Sequence, residues 1–192
     1  MTKTPSTLSP TLSQGACAVL NEPSPEGKAR IGLEIAGQWQ SGELEIIGTT
    51  APPGRPARLP KPELLSPRNM PKRKAKGTKG RFALMHAIAH IELNAIDLAW
   101  DIIARFTEHD LPRDFYDDWI GVAVDEARHF GLLENYLNDH GAAYGDLPAH
   151  DGLWQAAEDT AEDLLARIAI VPLVLEARGL DATPPTIAKL RQ

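Results

Sequence analysis

Cysteine is almost absent from this chain of 192 residues. Cys17 is the only one, so an internal disulfide cannot form and a thiolate-rich metal site is excluded. Any metal would have to be held by oxygen and nitrogen ligands. Strand-like alternation of apolar and polar residues is also missing, and long Ala- and Leu-rich segments take its place. We therefore expect an all-α protein.

The sequence also lacks a long hydrophobic run and an excess of positive charge. No stretch approaches the roughly 18 apolar residues of a membrane span, and the first twenty residues carry one lysine and no signal-like segment. Apolar residues make up 43% and charged residues 24%, with a formal net charge of -6. We expect a cytoplasmic protein that does not enter a membrane, and general binding of nucleic acid is disfavoured.

Proline is concentrated between residues 51 and 71, where seven of 21 positions are proline. Such a stretch excludes helix and divides the chain. Residues 1–50 then form an N-terminal extension with weak helical patterns at about 11–20 and 26–40. Residues 51–80 form a Pro-rich and then basic linker, and residues 81–192 form a helical domain.

The basic part of the linker, residues 71–81, carries six basic side chains in eleven positions. A solvated linker is the favoured interpretation. Contact with RNA or phosphate is the alternative.

Three long helices are predicted downstream of the linker. The first runs from Arg81 to about Phe106, without Gly or Pro, and the second from about Pro112 to His140. The third runs from about residue 152, capped by Asp151, to about residue 178, with a kink at Pro172. Helices joined by short loops should be antiparallel neighbours.

Each predicted helix carries one glutamate on an apolar stripe: Glu92, Glu126 and Glu176, with His129 one turn beyond Glu126. A single Glu-x-x-His is usually a surface ion pair. Three buried carboxylates facing one core, however, need a shared cation or shared protons, because an unpaired buried carboxylate costs several kcal/mol. The set of oxygen and nitrogen donors suits iron or manganese better than zinc.

Two further histidines, His86 and His90, invite direct metal ligation at their i,i+4 spacing. His90 lies about 200° from Glu92 around the helix, and both histidines belong to a separate polar stripe. A structural or supporting role is therefore favoured, for example a hydrogen bond between one of these histidines, or Asp97, and a residue such as Arg128 on the next helix. The stripe comprises His86, His90, Asn94, Asp97, Asp101 and Arg105.

These residues resemble the ferritin-like superfamily of four-helix bundles, which bind two iron ions through Glu and Glu-x-x-His motifs. The segments GRFALMHAIAHIELNAIDLAWD, VDEARHF and VPLVLEARGLDATP are similar to an uncharacterised bacterial family of ferritin-like proteins, distantly related to the tRNA-modifying hydroxylases. The lead-in PPGRPARLPKPELLSP and MPKRKAKGTKGR is similar too. The resemblance spans about Ala51 to Leu190 and implies that Glu92, Glu126, His129 and Glu176 are metal ligands.

Members of that family usually continue into a fourth core helix that carries a second Glu-x-x-His. This sequence ends at Gln192 without one. We expect a ferritin-like bundle with three long core helices and the fourth missing. Truncation is favoured over closure of the bundle by a partner such as a second copy.

The leading functional hypothesis is a non-haem di-iron oxidoreductase, or a Mn/Fe one, or a truncated relative of such an enzyme. Two irons held by carboxylates support oxygen chemistry. The alternatives are an iron-handling protein without substrate turnover and a structural helical module with relic carboxylates. The residues do not indicate a substrate.

Overall fold

A computed structural model describes residues 11–71 and 77–170, together with positions 184 and 188. Most of these residues are helical, which confirms the all-α prediction at the level of fold class. The predicted basic strip falls largely on residues 72–76. Residues 72–76, the end of the third predicted helix with Pro172, and Glu176 lie outside the described residues.

The two weak N-terminal patterns form helices, α1 (Leu12–Asn21) and α2 (Pro25–Ser41). Helix α1 begins with a capping box, in which Thr11 and Gln14 each accept a hydrogen bond from the other's backbone. Helix α2 begins at Pro25 behind Ser24, whose side chain accepts from the Gly27 N–H. Local capping thus fixes helices whose apolar patterns are faint.

The first two long helices are α3 (Gly77–Arg105) and α4 (Arg113–Asp139), joined by a short turn. Helix α1 packs on α3, α2 packs on α4, and α1 also packs on α2. All four helices contribute to one apolar core, so residues 12–44 pack against α3 and α4 and share that core with them. Its large members include Leu12, Leu20, Trp39, Ile96, Ile103, Tyr116 and Phe130.

The all-α architecture includes one short strand pair that the sequence pattern did not indicate. Two-residue strands β1 (Leu64–Leu65) and β2 (Ala149–His150) pair in parallel. Each is too short to show an alternating pattern, and the pairing joins segments more than eighty residues apart in sequence. Hydrogen bonds of this pair connect the Pro-rich segment to the chain segment that follows α4.

The third predicted helix is interrupted. Helix α5 (Gly152–Asp159) stops at Thr160, and α6 (Leu164–Ile168) starts behind Asp163, whose side chain accepts from the Ala166 N–H. The Arg167 guanidinium donates to the Ala157 carbonyl and to the Thr160 hydroxyl. These bonds satisfy the open end of α5, so a continuous helix through residues 160–163 is not needed.

Helix α3 is long and apolar enough to span a membrane by length and composition alone, and it is the one such helix among the described residues. It is not an uninterrupted apolar run, however, because His86, His90, Glu92, Asn94 and Asp97 lie within it. Half of its most apolar window is buried inside the protein. That burial, against α1 and α4, is typical of the core helix of a soluble protein.

Candidate metal centre

Three of the four predicted ligands meet between α3 and α4. Glu92 comes from α3, while Glu126 and His129 lie one turn apart on α4. The His129 Nδ1 atom lies 3.1 Å from a Glu126 carboxylate oxygen and 3.6 Å from a Glu92 carboxylate oxygen. One donor atom from each residue falls within 4.8 Å of the other two. The fourth predicted ligand, Glu176, lies outside the described residues.

The cluster is more exposed than its apolar stripes indicated. The side chains of Glu92 and Glu126 are 19% and 16% exposed, and that of His129 is 53% exposed. The expected full burial was therefore wrong for these three residues. Their side chains lie at the rim of the α3–α4 face, where water reaches the imidazole. The high cost of burying charge thus applies only in part.

The donor set still fits a metal. Two carboxylates and one imidazole are the oxygen and nitrogen donors expected for iron or manganese, and they arrive from two helices that the core holds together. Two carboxylates so close to one another repel unless a cation or a proton lies between them. In the structure the His129 imidazole lies close to both carboxylates.

The second polar stripe of α3 is almost completely buried, and its two histidines are part of a hydrogen-bond network. His86 accepts from the Gly145 N–H at 2.9 Å. The Nδ1 atom of His90 lies 2.8 Å from the Tyr144 hydroxyl, and its Nε2 atom lies 3.0 Å from the His150 carbonyl. The structural role favoured for both histidines agrees with these contacts.

Asp97 is one of two carboxylates of the stripe without exposed surface. Its side chain has no exposed surface and pairs with Lys28 of α2 at 2.8 Å and with Arg58 at 2.6 Å. Arg128, suggested from the sequence as a partner, pairs with Asp125 on the protein surface instead. The Lys28 ammonium also donates to the Val19 and Leu20 carbonyls at the end of α1. One lysine therefore joins α1, α2 and α3.

Asp101, one turn further, forms a second buried ion pair. It accepts from Arg105 on the same helix and from Arg167 of α6, which is 1% exposed. Sequence reasoning missed the three cationic partners that come from distant segments, Lys28, Arg58 and Arg167. The sequence did contain one signal, the polar stripe itself. Asp97 and Asp101 stand among isoleucines and alanines that are buried in the structure, and a buried carboxylate needs a cationic partner.

Comparison with known proteins gives a family without an assigned activity. A family described as "Protein of unknown function (DUF455)" matches residues 21–192. An "Uncharacterized protein" of Haemophilus influenzae is 44% identical over 161 residues, which cover 81% of this chain and 56% of the relative. The chain thus spans little more than half the length of this relative. No solved structure matches this chain.

Proposed function

This chain belongs to the DUF455 family of proteins of unknown function, and we propose that it is a ferritin-like metal-binding protein whose site includes Glu92, Glu126 and His129. The observation that carries the proposal is the convergence of three donor atoms from two helices within 4.8 Å. An i,i+3 ion pair on α4 accounts for Glu126 and His129. It does not account for Glu92, which reaches the same point from α3.

Iron or manganese is the metal we propose. Glu92 and Glu126 would supply negative oxygen donors, and a neutral His129 would supply a nitrogen. Glu176 is the fourth ligand that the ferritin-like resemblance implies. Further ligands would come from elsewhere in a longer protein or from a second copy packed over the exposed side of His129. Bound iron would supply redox chemistry with oxygen.

The wider proposal is a cytoplasmic non-haem di-iron oxidoreductase, and it rests on the resemblance to the ferritin-like superfamily and the donor set. The residues of this chain would anchor the ion, neutralise it with two carboxylates and leave one side open to solvent. An iron-handling protein without substrate turnover is the second candidate. It is favoured by the 53% exposure of His129, which leaves the site accessible for exchange of ions.

Calorimetry with Fe(II) under anaerobic conditions tests the metal site. We expect Glu126→Gln and His129→Ala to weaken binding at least about tenfold, because each removes a ligand. The matched controls are Asp125→Asn and His140→Ala, which alter an exposed carboxylate and an exposed histidine of the same helical segment. Equal binding by all four variants and the native protein would refute the ligand assignment.

Admission of air to the loaded protein then separates the candidates. Oxidation of Fe(II) without an organic product supports iron handling. Oxidation coupled to hydroxylation of an added substrate supports the oxidoreductase. Native protein that binds neither Fe(II) nor Mn(II) is a structural module with relic carboxylates.

A further inference from the structure

A cleft of about 410 Å³ lies beside α3, against the β1–β2 pair. Its apolar walls come from three segments: Met70 and Pro71 before α3, Ala87 and Ile91 on α3, and Ala149 in β2. The volume is in the range of small-molecule sites. Two imidazoles, of His90 and His150, complete the lining. No charged side chain is among these described lining residues.

The first imidazole is a fixed, neutral part of the wall. Both nitrogens of His90 have partners, the Tyr144 hydroxyl at 2.8 Å and the His150 carbonyl at 3.0 Å. Burial, and then the positive charge of Arg58, lowers the pKa of His90 to about 4. His90 therefore offers a ligand neither a charge nor a free nitrogen at neutral pH, which also argues against a metal between the two rings.

The second imidazole supplies the hydrogen-bonding group of the cleft. The Gly152 N–H donates to Nδ1 of His150 at 3.3 Å, so Nδ1 is the acceptor and the ring proton is on Nε2. Within the part of the chain that the structure describes, no acceptor is bound to that Nε2–H. His150 lines the cleft and is only partly buried.

We propose that this cleft is a binding site for an uncharged, largely apolar small molecule that places one hydrogen-bond acceptor, such as a carbonyl oxygen, on the His150 imidazole. Charged ligands are disfavoured because they would lose hydration beside apolar walls whose described lining residues offer no opposite charge to pair with. The site is independent of the proposed metal centre, since it shares no residue with that centre.

Titration with three probes of one shape tests the proposal: neutral acetophenone, anionic benzoate and cationic benzylamine. The readouts are the Met70 methyl and His150 ring signals in NMR spectra of the whole chain. We expect acetophenone to shift both signals saturably and to bind about tenfold more tightly than either ion. Absence of saturable shifts would overturn the site, and equal binding of all three probes would overturn the ligand class.

Substitution at His150 tests the hydrogen bond. His150→Leu keeps the apolar volume but removes the donor, so we expect acetophenone to bind about three- to tenfold more weakly. His150→Gln keeps an N–H donor and should retain most of the affinity. Ile91→Trp, a change at a side chain that is 44% exposed, should block the cleft without disturbing the core. Unchanged binding in both His150→Leu and Ile91→Trp would place the probe elsewhere and overturn the proposal.

Discussion

The ammonium nitrogen of Lys28 lies 2.8 Å from a carboxylate oxygen of Asp97, and neither side chain has any exposed surface. Burial lowers the pKa of Lys28, and the charge of Asp97 opposes that shift. Burial likewise raises the pKa of Asp97, against the charges of Arg58 and Lys28. Each ion thus depends on the other to stay charged. The packing of α1 and α2 on α3 depends on both, because Lys28 contacts all three helices.

Replacing Asp97 should destabilise the protein more than replacing either cation. Asp97→Asn leaves Lys28 and Arg58 together without their shared counter-ion, and we expect a loss of about 3 kcal/mol or more in the free energy of unfolding. Lys28→Met leaves Asp97 paired with Arg58 and should cost less. Urea denaturation measures both. The surface variant Arg128→Ala is the control, and we expect it to change the free energy of unfolding by about 0.5 kcal/mol or less. An Asp97→Asn variant that loses no more stability than Arg128→Ala would contradict this prediction.

Two glycines of α2 should respond in opposite directions to alanine. A Cβ at Gly32 would lie 2.9 Å from the indole nitrogen of Trp100, a side chain that is 1% exposed and has no room to move. Gly32→Ala should therefore cost about 1–3 kcal/mol. A Cβ at Gly37 meets nothing within 4 Å, so Gly37→Ala should stabilise the helix by about 0.5–1 kcal/mol. Thermal denaturation of the pair checks the sign at each position.

Glu134 should make stability fall as the pH rises towards neutrality. Burial, followed by contact with the Glu26 carboxyl of α2, raises the pKa of Glu134 from 4.5 to about 7. The folded state then binds a proton that the unfolded chain has released, so this stabilisation is complete below pH 4.5 and is lost as the pH rises through about 7.

Glu134→Gln keeps a donor towards Glu26 and cannot ionise. We expect it to leave stability at pH 4.5 nearly unchanged and to raise it at pH 8 by about 1 kcal/mol, a value reduced for solvent screening. Urea denaturation from pH 4.5 to 8 gives the slope. Glu34 and Glu134 line one groove between α2 and α4, but Glu34 is exposed and paired with Arg30, so Glu34→Gln is the control. An identical slope for the native protein and Glu134→Gln would disprove the coupling.

Manganese should raise the melting temperature of the native protein if the proposed metal site is real. A ligand at a hundred times its dissociation constant adds about 2.7 kcal/mol, which corresponds to about 5–10 °C for a domain of this size. His129→Ala should lose most of this shift, and His140→Ala should keep it. Scanning fluorimetry with Mn(II), and with Mg(II) for comparison, measures it. The same shift in His129→Ala would point to binding elsewhere.

The sequence was sufficient for the first two long helices, α3 and α4, and for the meeting of Glu92 with Glu126. Their apolar periodicity is strong, their connection is short, and both glutamates lie near the middle of a helix, so antiparallel packing brings them to one level. The ligand assignment itself stays a prediction. The exposure of His129 could not be read from the stripe, because periodicity gives the direction of a side chain but not what covers it.

Long-range partners were beyond sequence reasoning for a different reason. Lys28, Arg58 and Arg167 come from a weakly patterned helix, a Pro-rich segment and an interrupted helix, and each resembles an ordinary surface cation. Their burial depends on where those segments pack, which no local pattern encodes. The break at Thr160 was missed in the same way, because the bonds that stabilise it come from Arg167 and from Asp101 on α3.

The buried polar stripe gives α3 a fixed angular setting. Turning the helix by one residue, about 100°, would place the carboxylates of Asp97 and Asp101 in apolar packing and leave their cations buried without a counter-ion. The helix therefore has one acceptable orientation about its axis. Glu92 projects from the same rigid rod on another side. The ion pairs of Asp97 and Asp101 therefore fix the direction in which Glu92 points towards α4, although they contact neither Glu126 nor His129.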